Sequence, residues 1–284
     1  MLGRKRTGSV VCRTCGRLVG VGEARCPHCG ARSPSLFGLA PALKKLELDL
    51  GFTDVVVAAC VGLYLLTLVA DPSGIGNRGF SFLAPSPHSL VRFGASGLLP
   101  VFELGRWWTV LSAGWLHGDV LHIFFNVMWI RSIGPLVVEA YGGARTVILY
   151  TVATAAGFLL TTVAPLYLSA LSFLMGGGGY SVGASAAIFG LLAAAVRFGR
   201  RHGHAHIARE LWGWAVFLFV WGIVGGMGID NWAHLGGFAG GWLSARLLDP
   251  VRPEKLGHVV TALVCIAATL AAILASVLVP LPGP

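Results

Sequence analysis

Residues 114–126 read GWLHGDVLHIFFN, and the apolar stretch they open, roughly 118–138, is long enough to cross a bilayer. That stretch nevertheless carries His122 and Asn126. Two more polar groups sit in later apolar stretches: Ser185 in Gly183-Ala184-Ser185-Ala186, and His234 in NWAHLGG. Polar side chains are costly in hydrocarbon and face a bundle interior or a watery cavity, where they often carry function. Serine, histidine and an amide are also the groups that nucleophilic attack with oxyanion stabilisation requires.

The rest of the chain agrees with a membrane setting. Mean hydropathy is +0.76, and 12% of the 284 residues are charged, against about 25% in an ordinary soluble domain. Seven spans are expected, roughly 52–70, 118–138, 144–165, 182–198, 209–226, 232–248 and 257–279, each near the ~20 residues that cross hydrocarbon as helix. The fold class is therefore an all-α polytopic membrane protein. Nothing before residue 50 reads as a cleavable signal peptide. With the N-terminus in the cytoplasm, 17 of the 21 Lys and Arg residues face inward, including Arg145, Arg197, Arg200, Arg201, Arg246, Arg252 and Lys255. Three, Arg78, Arg92 and Arg106, face outward, and Arg131 lies within the second span. Cytoplasmic enrichment of basic residues sets orientation, so the expected topology is N-terminus in and C-terminus out. The net charge of +9 is then mainly an orientation signal with attraction to anionic lipid, and nucleic-acid binding is not expected.

Ahead of the spans, Cys12-Arg-Thr-Cys15 and Cys26-Pro-His-Cys29 form two CxxC knuckles ten residues apart. Four thiolates brought together this way suit a tetrahedral structural zinc, and a segment too small for its own core folds around the metal. A redox CxxC pair or an unmetallated tail are the competing readings, and His28 is an alternative ligand. With four thiolates the metal has no open position, so no catalytic role is expected of it. Gly16 and Gly30 follow each knuckle and fit tight turns. The module is placed at 1–33, followed by a linker or interfacial segment at 34–51 that contains KKLELDL. His202, His204 and His206 read as a solvated loop, and Cys60 and Cys265 as small apolar residues in spans.

The polar groups can be compared in depth. Ser185 and His234 each lie twelve residues above an arginine at the cytoplasmic end of their span, and Asn126 lies thirteen above Glu139. At 1.5 Å rise per residue all three sit roughly 18–20 Å above the inner boundary. His122, four residues before Asn126, shares its face one turn nearer the outside. Small-xxx-small spacing at Ala186/Gly190/Ala194, Gly236/Gly240 and Gly237/Gly241 supports close approach of the fourth and sixth spans. Singly, each feature has a plain reading: glycine pairs pack, a serine bonds its own i−4 carbonyl, and a histidine is structural. The GGGGY stretch at 176–180 either presents a strained loop or is a flexible connector.

HGDVLHIFFN, GASA and AHLGGFAGG, in that order on those spans, resemble the rhomboid family of intramembrane serine proteases over about residues 52–248. The long loop between spans one and two and Gly134…Glu139…Gly142 belong to the likeness. The resemblance implies a six-helix core at 52–248 and an additional transmembrane helix at 249–284. It implies Ser185 as nucleophile, His234 as general base, and His122, Asn126 and the Ser185 backbone N–H as oxyanion donors. No catalytic cofactor is implied, and zinc is confined to the N-terminal module. Phe189 is expected under the His234 ring, where members often carry Tyr. Two departures stand out. Ala186 replaces the usual glycine after the nucleophile, and Arg106-Trp107-Trp108-Thr109 stands where Trp-Arg is common. His117 is expected to be a structural hydrogen-bonding residue.

The expected function is an intramembrane serine endopeptidase that cleaves transmembrane-protein substrates near the outer leaflet. The alternative is a rhomboid-like pseudoprotease that binds membrane clients. Expected partners are transmembrane substrates, the lipid bilayer and a cytosolic partner of the zinc module. Composition suggests a prokaryotic plasma membrane. A channel or transporter would place its groups at the midplane, and an intramembrane metalloprotease would need an HExxH site that the sequence lacks.

Overall fold

The computed structural model describes residues 7–12, 15–35, 51–78, 81–177, 179–225, 228–248 and 250–281. Most of the segment expected to form a linker or interfacial helix at 34–51 lies outside the described residues.

The N-terminal module is a two-stranded antiparallel hairpin, β1 (Ser9–Val11) with β2 (Leu18–Gly20), paired Ser9 to Gly20 and Val11 to Leu18. Val10, Cys12, Val19, Val21 and Cys26 make its small core. Such a core supplies little burial energy, so a metal is the natural way to hold the module. Gly16 and Gly30 adopt φ of +74° and +72° and return their N–H groups to the carbonyls of Cys12 and Cys26. Those are the turns the two knuckles call for.

The membrane core begins with α1 (Phe52–Ala70). A long loop follows, containing the hairpin β3 (Gly76–Arg78) and β4 (Ser81–Ala84), α2 (Pro87–Phe93) and the single turn α3 (Thr109–Ser112). Next come α4 (Val120–Tyr141), α5 (Gly143–Tyr167), a short turn α6 (Ser172–Met175) and α7 (Ser185–Arg201). The chain ends with α8 (Ala205–Val224), α9 (Asn231–Leu247) and α10 (Leu256–Leu278). Seven of these helices fall on the seven expected spans.

Among the described residues five helices, α1, α4, α5, α8 and α10, are long and apolar enough to cross a membrane. The other two, α7 and α9, have 17 residues each and carry Ser185 and His234. Of these, α7 lies at the centre of the bundle. Ala186 to Val196 of α7 are all buried, and α4, α5, α8 and α9 pack around that helix. Peripheral α8 and α10 instead turn Phe217, Trp221, Leu263 and Leu270 outward. Lipid, which is as apolar as a leucine side chain, supplies the solvent for such a surface.

Small residues set the spacing of the central layer. A Cβ on Gly237 would fall on the Ala186 carbonyl, and one on Gly241 on the Gly190 backbone, so α9 and α7 touch backbone to backbone. The neighbouring row, Gly236 and Gly240, lies against Ala156 and Gly157 of α5. The sequence pointed to the first contact. The second shows that α9 is wedged between two helices, one glycine row to each.

Arg145, read from sequence only as an orientation charge, is 1% exposed. Its guanidinium donates to the carbonyls of Tyr141, Arg252 and Pro253, and its Nε lies 3.2 Å from His258 Nδ1. The Arg145 backbone N–H donates to Glu254. One side chain thus ties the α4–α5 turn to the segment entering α10. In the same region Pro253 lies 3.2 Å from where a Gly16 Cβ would stand, so the first cysteine knuckle rests on that segment.

Candidate active site and metal centre

Ser185 is the first residue of α7, with Ala184 at the cap position and no side chain covering that end. The first N–H groups of a helix have no partner within it, so the Ser185 amide belongs to a set of donors pointing out of the helix end. Gly183, two residues earlier, has φ +133° and donates its N–H to the Ala113 carbonyl at 3.0 Å. A Cβ on Gly183 would stand 2.6 Å from His122 Nε2 and 3.6 Å from Ser185 Oγ. Glycine is therefore required twice there, for the backbone angle and for the imidazole. The same vacancy shows that His122 and Ser185 border one point.

His122 is set by the start of α4. Asp119 caps the helix by accepting the His122 N–H at 2.8 Å, and Gly118 N–H points at His122 Nδ1 at 3.3 Å. With Nδ1 accepting, a neutral ring carries its proton on Nε2. The N–H then faces Gly183 and Ser185. Asn126, one turn on, is 5% exposed. Its Nδ2 donates one hydrogen to the His122 carbonyl at 2.8 Å, leaving a second on the same nitrogen, and its Oδ1 has no partner among the described residues.

His234 lies on α9, capped by Asp230, whose carboxylate accepts the Ala233 N–H at 3.0 Å and the Thr161 hydroxyl at 2.5 Å. Burial pushes the Asp230 carboxyl above the usual range, while hydrogen bonds from Ser181 and Thr161 pull it down. Asp230 thus serves as a helix cap. The group facing the His234 ring is Asn231, whose Oδ1 is 3.1 Å from His234 Nδ1. An amide oxygen only accepts, so Nδ1 holds the proton and Nε2 is left as the basic lone pair. Asn231 is fully buried and packs against Gly222 of α8, where a Cβ would stand 2.5 Å from its Oδ1. Sequence reasoning passed over Asn231, though its position three residues before a histidine on one helix face was a usable signal.

The Phe189 ring stacks on His234, with centroids 4.2 Å apart and planes 12° apart, as the sequence suggested. Phe189 is one turn below Ser185, so this stack ties the His234 ring to the helix that bears the serine. Among the described residues no hydrogen bond joins Ser185 Oγ to His234. Such bonds are commonly long without substrate.

The Ala186 methyl does not enter this site. Ala186 is fully buried with Ala113, Phe158 and Ala233, and its Cβ lies 2.7 Å from where a Gly157 Cβ would be. It faces the α5–α9 seam. His117 is fully buried, its ring lies within reach of the Trp115 backbone, and it packs edge-on against His122 at 5.2 Å. It borders His122 by ring contact. Gly176 and Gly177, with φ of +69° and +76°, lie against the Ile229 carbonyl and Thr161. Ser181 exchanges two backbone bonds with Ser96. The glycine-rich loop is thus fastened on both sides of Gly178, which lies outside the described residues.

In the N-terminal module the four Sγ atoms of Cys12, Cys15, Cys26 and Cys29 lie within 4.8 Å of one another, with Cys12–Cys29 at 3.8 Å and Cys15–Cys26 at 3.7 Å. Tetrahedral bonds of ~2.3 Å to sulfur place sulfurs about 3.8 Å apart, so the donor set fits such an ion. His28 is exposed and lies near Arg17, away from the cluster. His202 and His204 stack on Phe198 and are not part of any metal-competent cluster among the described residues.

A bundle of apolar helices enclosing a serine, two histidines and two amides defines an integral membrane protein with a polar site inside its helix core. The Rhomboid domain family model matches residues 104–250, and the chain belongs to the rhomboid family. It is 30% identical over 180 residues to RHOMBOID-like protein 7 of Arabidopsis thaliana, covering 58% of this chain and 50% of that one. Identity to Rhomboid-like protease 5 of Toxoplasma gondii is 32% over 189 residues, covering 61% and 20%. Identity to Rhomboid protease GluP of Bacillus subtilis (strain 168) is 28% over 172 residues, covering 60% and 31%. The chain spans half or less of the length of these relatives. They include plant proteins, so they do not support the prokaryotic membrane that composition suggested.

Proposed function

We propose that the protein is an intramembrane serine endopeptidase that hydrolyses peptide bonds of transmembrane proteins within the bilayer. The observation that carries this reading is the contrast in partners of two histidines on neighbouring helices: a backbone N–H at His122 Nδ1 makes its Nε2 a donor, and the Asn231 amide oxygen at His234 Nδ1 makes its Nε2 a lone pair. His234 Nε2 takes the Ser185 proton as Oγ attacks the carbonyl carbon. His122 Nε2–H, the Ser185 N–H and the second amide hydrogen of Asn126 stabilise the oxyanion. The imidazolium then protonates the leaving amine, and water releases the acyl group from Ser185 by the reverse sequence. A helical carbonyl is shielded by its own hydrogen bond, so segments with helix-breaking or small residues are the preferred substrates. Residues 52–248 form the reacting core, 249–284 the additional span, 34–51 a linker and 1–33 a zinc module. The N-terminus lies in the cytoplasm and the site opens toward the outer leaflet.

Labelling with a fluorophosphonate and cleavage of a model transmembrane substrate test the reading. Modification at Ser185, lost in Ser185→Ala, supports it. An unlabelled serine and an uncut substrate would leave the client-binding pseudoprotease. Metal analysis tests the module: about one zinc per chain is expected, lost in Cys26→Ser. Wild-type protein free of zinc after purification without chelators would overturn it.

A further inference from the structure

The Arg106-Trp107-Trp108-Thr109 stretch binds the last turn of α10, a helix outside the core expected to carry the reaction. The Arg106 guanidinium, 1% exposed, donates to the carbonyls of Val91, Arg92 and Ser276. The Ser276 carbonyl is available because the helical partner four residues on is Pro280, which has no N–H. Trp108 Nε1 donates to Ser276 Oγ at 3.1 Å, and Ser112 Oγ lies 3.4 Å from the same oxygen while donating to the Gly94 carbonyl. Gly94 makes this possible, since a Cβ there would stand 2.6 Å from Ser276 Oγ. Ser276 is fully buried. Its loss would strand the Trp108 N–H in apolar surroundings. One residue beyond Ser112, the Ala113 carbonyl receives the Gly183 N–H, and Gly183 borders both His122 Nε2 and Ser185 Oγ.

We propose that the seventh helix positions the nucleophile: Ser276 fixes the 106–113 segment, and the Ala113 carbonyl in turn fixes the Gly183–Ser185 approach to α7. Ser276 is a positioning residue that reaches the reacting atoms through two hydrogen-bonded steps. The role in catalysis rests on the hydrolase reading, but the mechanical coupling does not.

Amide hydrogen exchange and fluorophosphonate labelling of the full chain in detergent separate the two. Ser276→Ala and Trp108→Phe each remove one side of the same bond. Each is expected to speed exchange at the Gly183 amide about 10-fold and to slow Ser185 labelling about 10-fold. The double variant should be little worse than Ser276→Ala alone, because that substitution already breaks the bond that Trp108→Phe removes. Amides of the α7–α9 seam should exchange as in wild type, which distinguishes local loosening from general loss of fold. Should Ser276→Ala fail to fold, Trp108→Phe decides alone. Wild-type exchange at Gly183 overturns the coupling, and faster exchange with unchanged labelling overturns its positioning role. If Ser185 of the unaltered protein never labels, the hydrolase reading falls and the exchange result alone judges the coupling.

Discussion

Two helices bring a histidine and an asparagine to the site, and they use the pair in opposite senses. On α4, His122 precedes Asn126 by one turn, its Nδ1 faces a backbone N–H, and its donor faces the serine. On α9, Asn231 precedes His234, its oxygen faces Nδ1, and the lone pair of Nε2 remains. The same two residue types therefore make one wall that donates and one that accepts. What separates them is the partner on the far nitrogen, a backbone N–H in one case and an amide oxygen in the other. Residue identity alone does not give a histidine its role.

The largest test of this contrast removes the accepting wall. His234→Ala, like Ser185→Ala, is expected to lower cleavage of a model transmembrane substrate by about 10⁴-fold or more, since base and nucleophile act as a unit in the proposed dyad. Full activity in either variant would end the dyad assignment. On the donating wall, His122→Ala should cost about 10²–10³-fold in kcat with KM little changed, the usual consequence of losing one oxyanion donor. A loss confined to KM would recast His122 as a substrate contact.

Asn231→Ala goes to the origin of the asymmetry. Without its oxygen the His234 ring is free to take the other tautomer and to rotate, and a fall of about 10²-fold is expected. Nitrogen NMR of histidine-labelled protein reads the tautomer without any activity: Nδ1 of His234 should carry the proton in wild type and lose that preference in Asn231→Ala. Wild-type tautomer populations in the variant would show that something other than Asn231 sets the ring.

Much of this was legible in the sequence because membranes impose simple rules. Apolar length gave all seven helices, and counting residues from the expected cytoplasmic end of each span put Ser185, His234 and Asn126 at one expected level. The cysteine module was legible for a different reason: its ligands lie close together along the chain, and the knuckle glycines mark its turns. Direction of side chains was not legible. Asn231 reads as an ordinary residue at the start of a helix until the fold turns it inward beside Gly222. Arg145 and Arg106 read as charges on opposite sides of the membrane, whereas both are buried clamps that satisfy carbonyls. Each has partners more than 100 residues away, Arg145 in the segment entering α10 and Arg106 in its last turn, and no local pattern encodes such pairing.

The smallest expected effect concerns Ala186, the departure nearest Ser185, the proposed nucleophile. If its methyl crowded the donating wall, Ala186→Gly would relieve the oxyanion site and raise kcat. The structure turns that methyl away from His122 and into the seam formed with Gly157, Phe158 and Ala233. The substitution should therefore leave kcat within about threefold and lower stability instead. Glycine in a helix costs about 1 kcal/mol relative to alanine, and the vacated methyl volume adds to that. Thermal unfolding and steady-state cleavage on the same sample separate the outcomes. A stable variant with a tenfold higher kcat would mean that the donating wall extends to residue 186, and that the two walls meet closer to the serine than the packing shows.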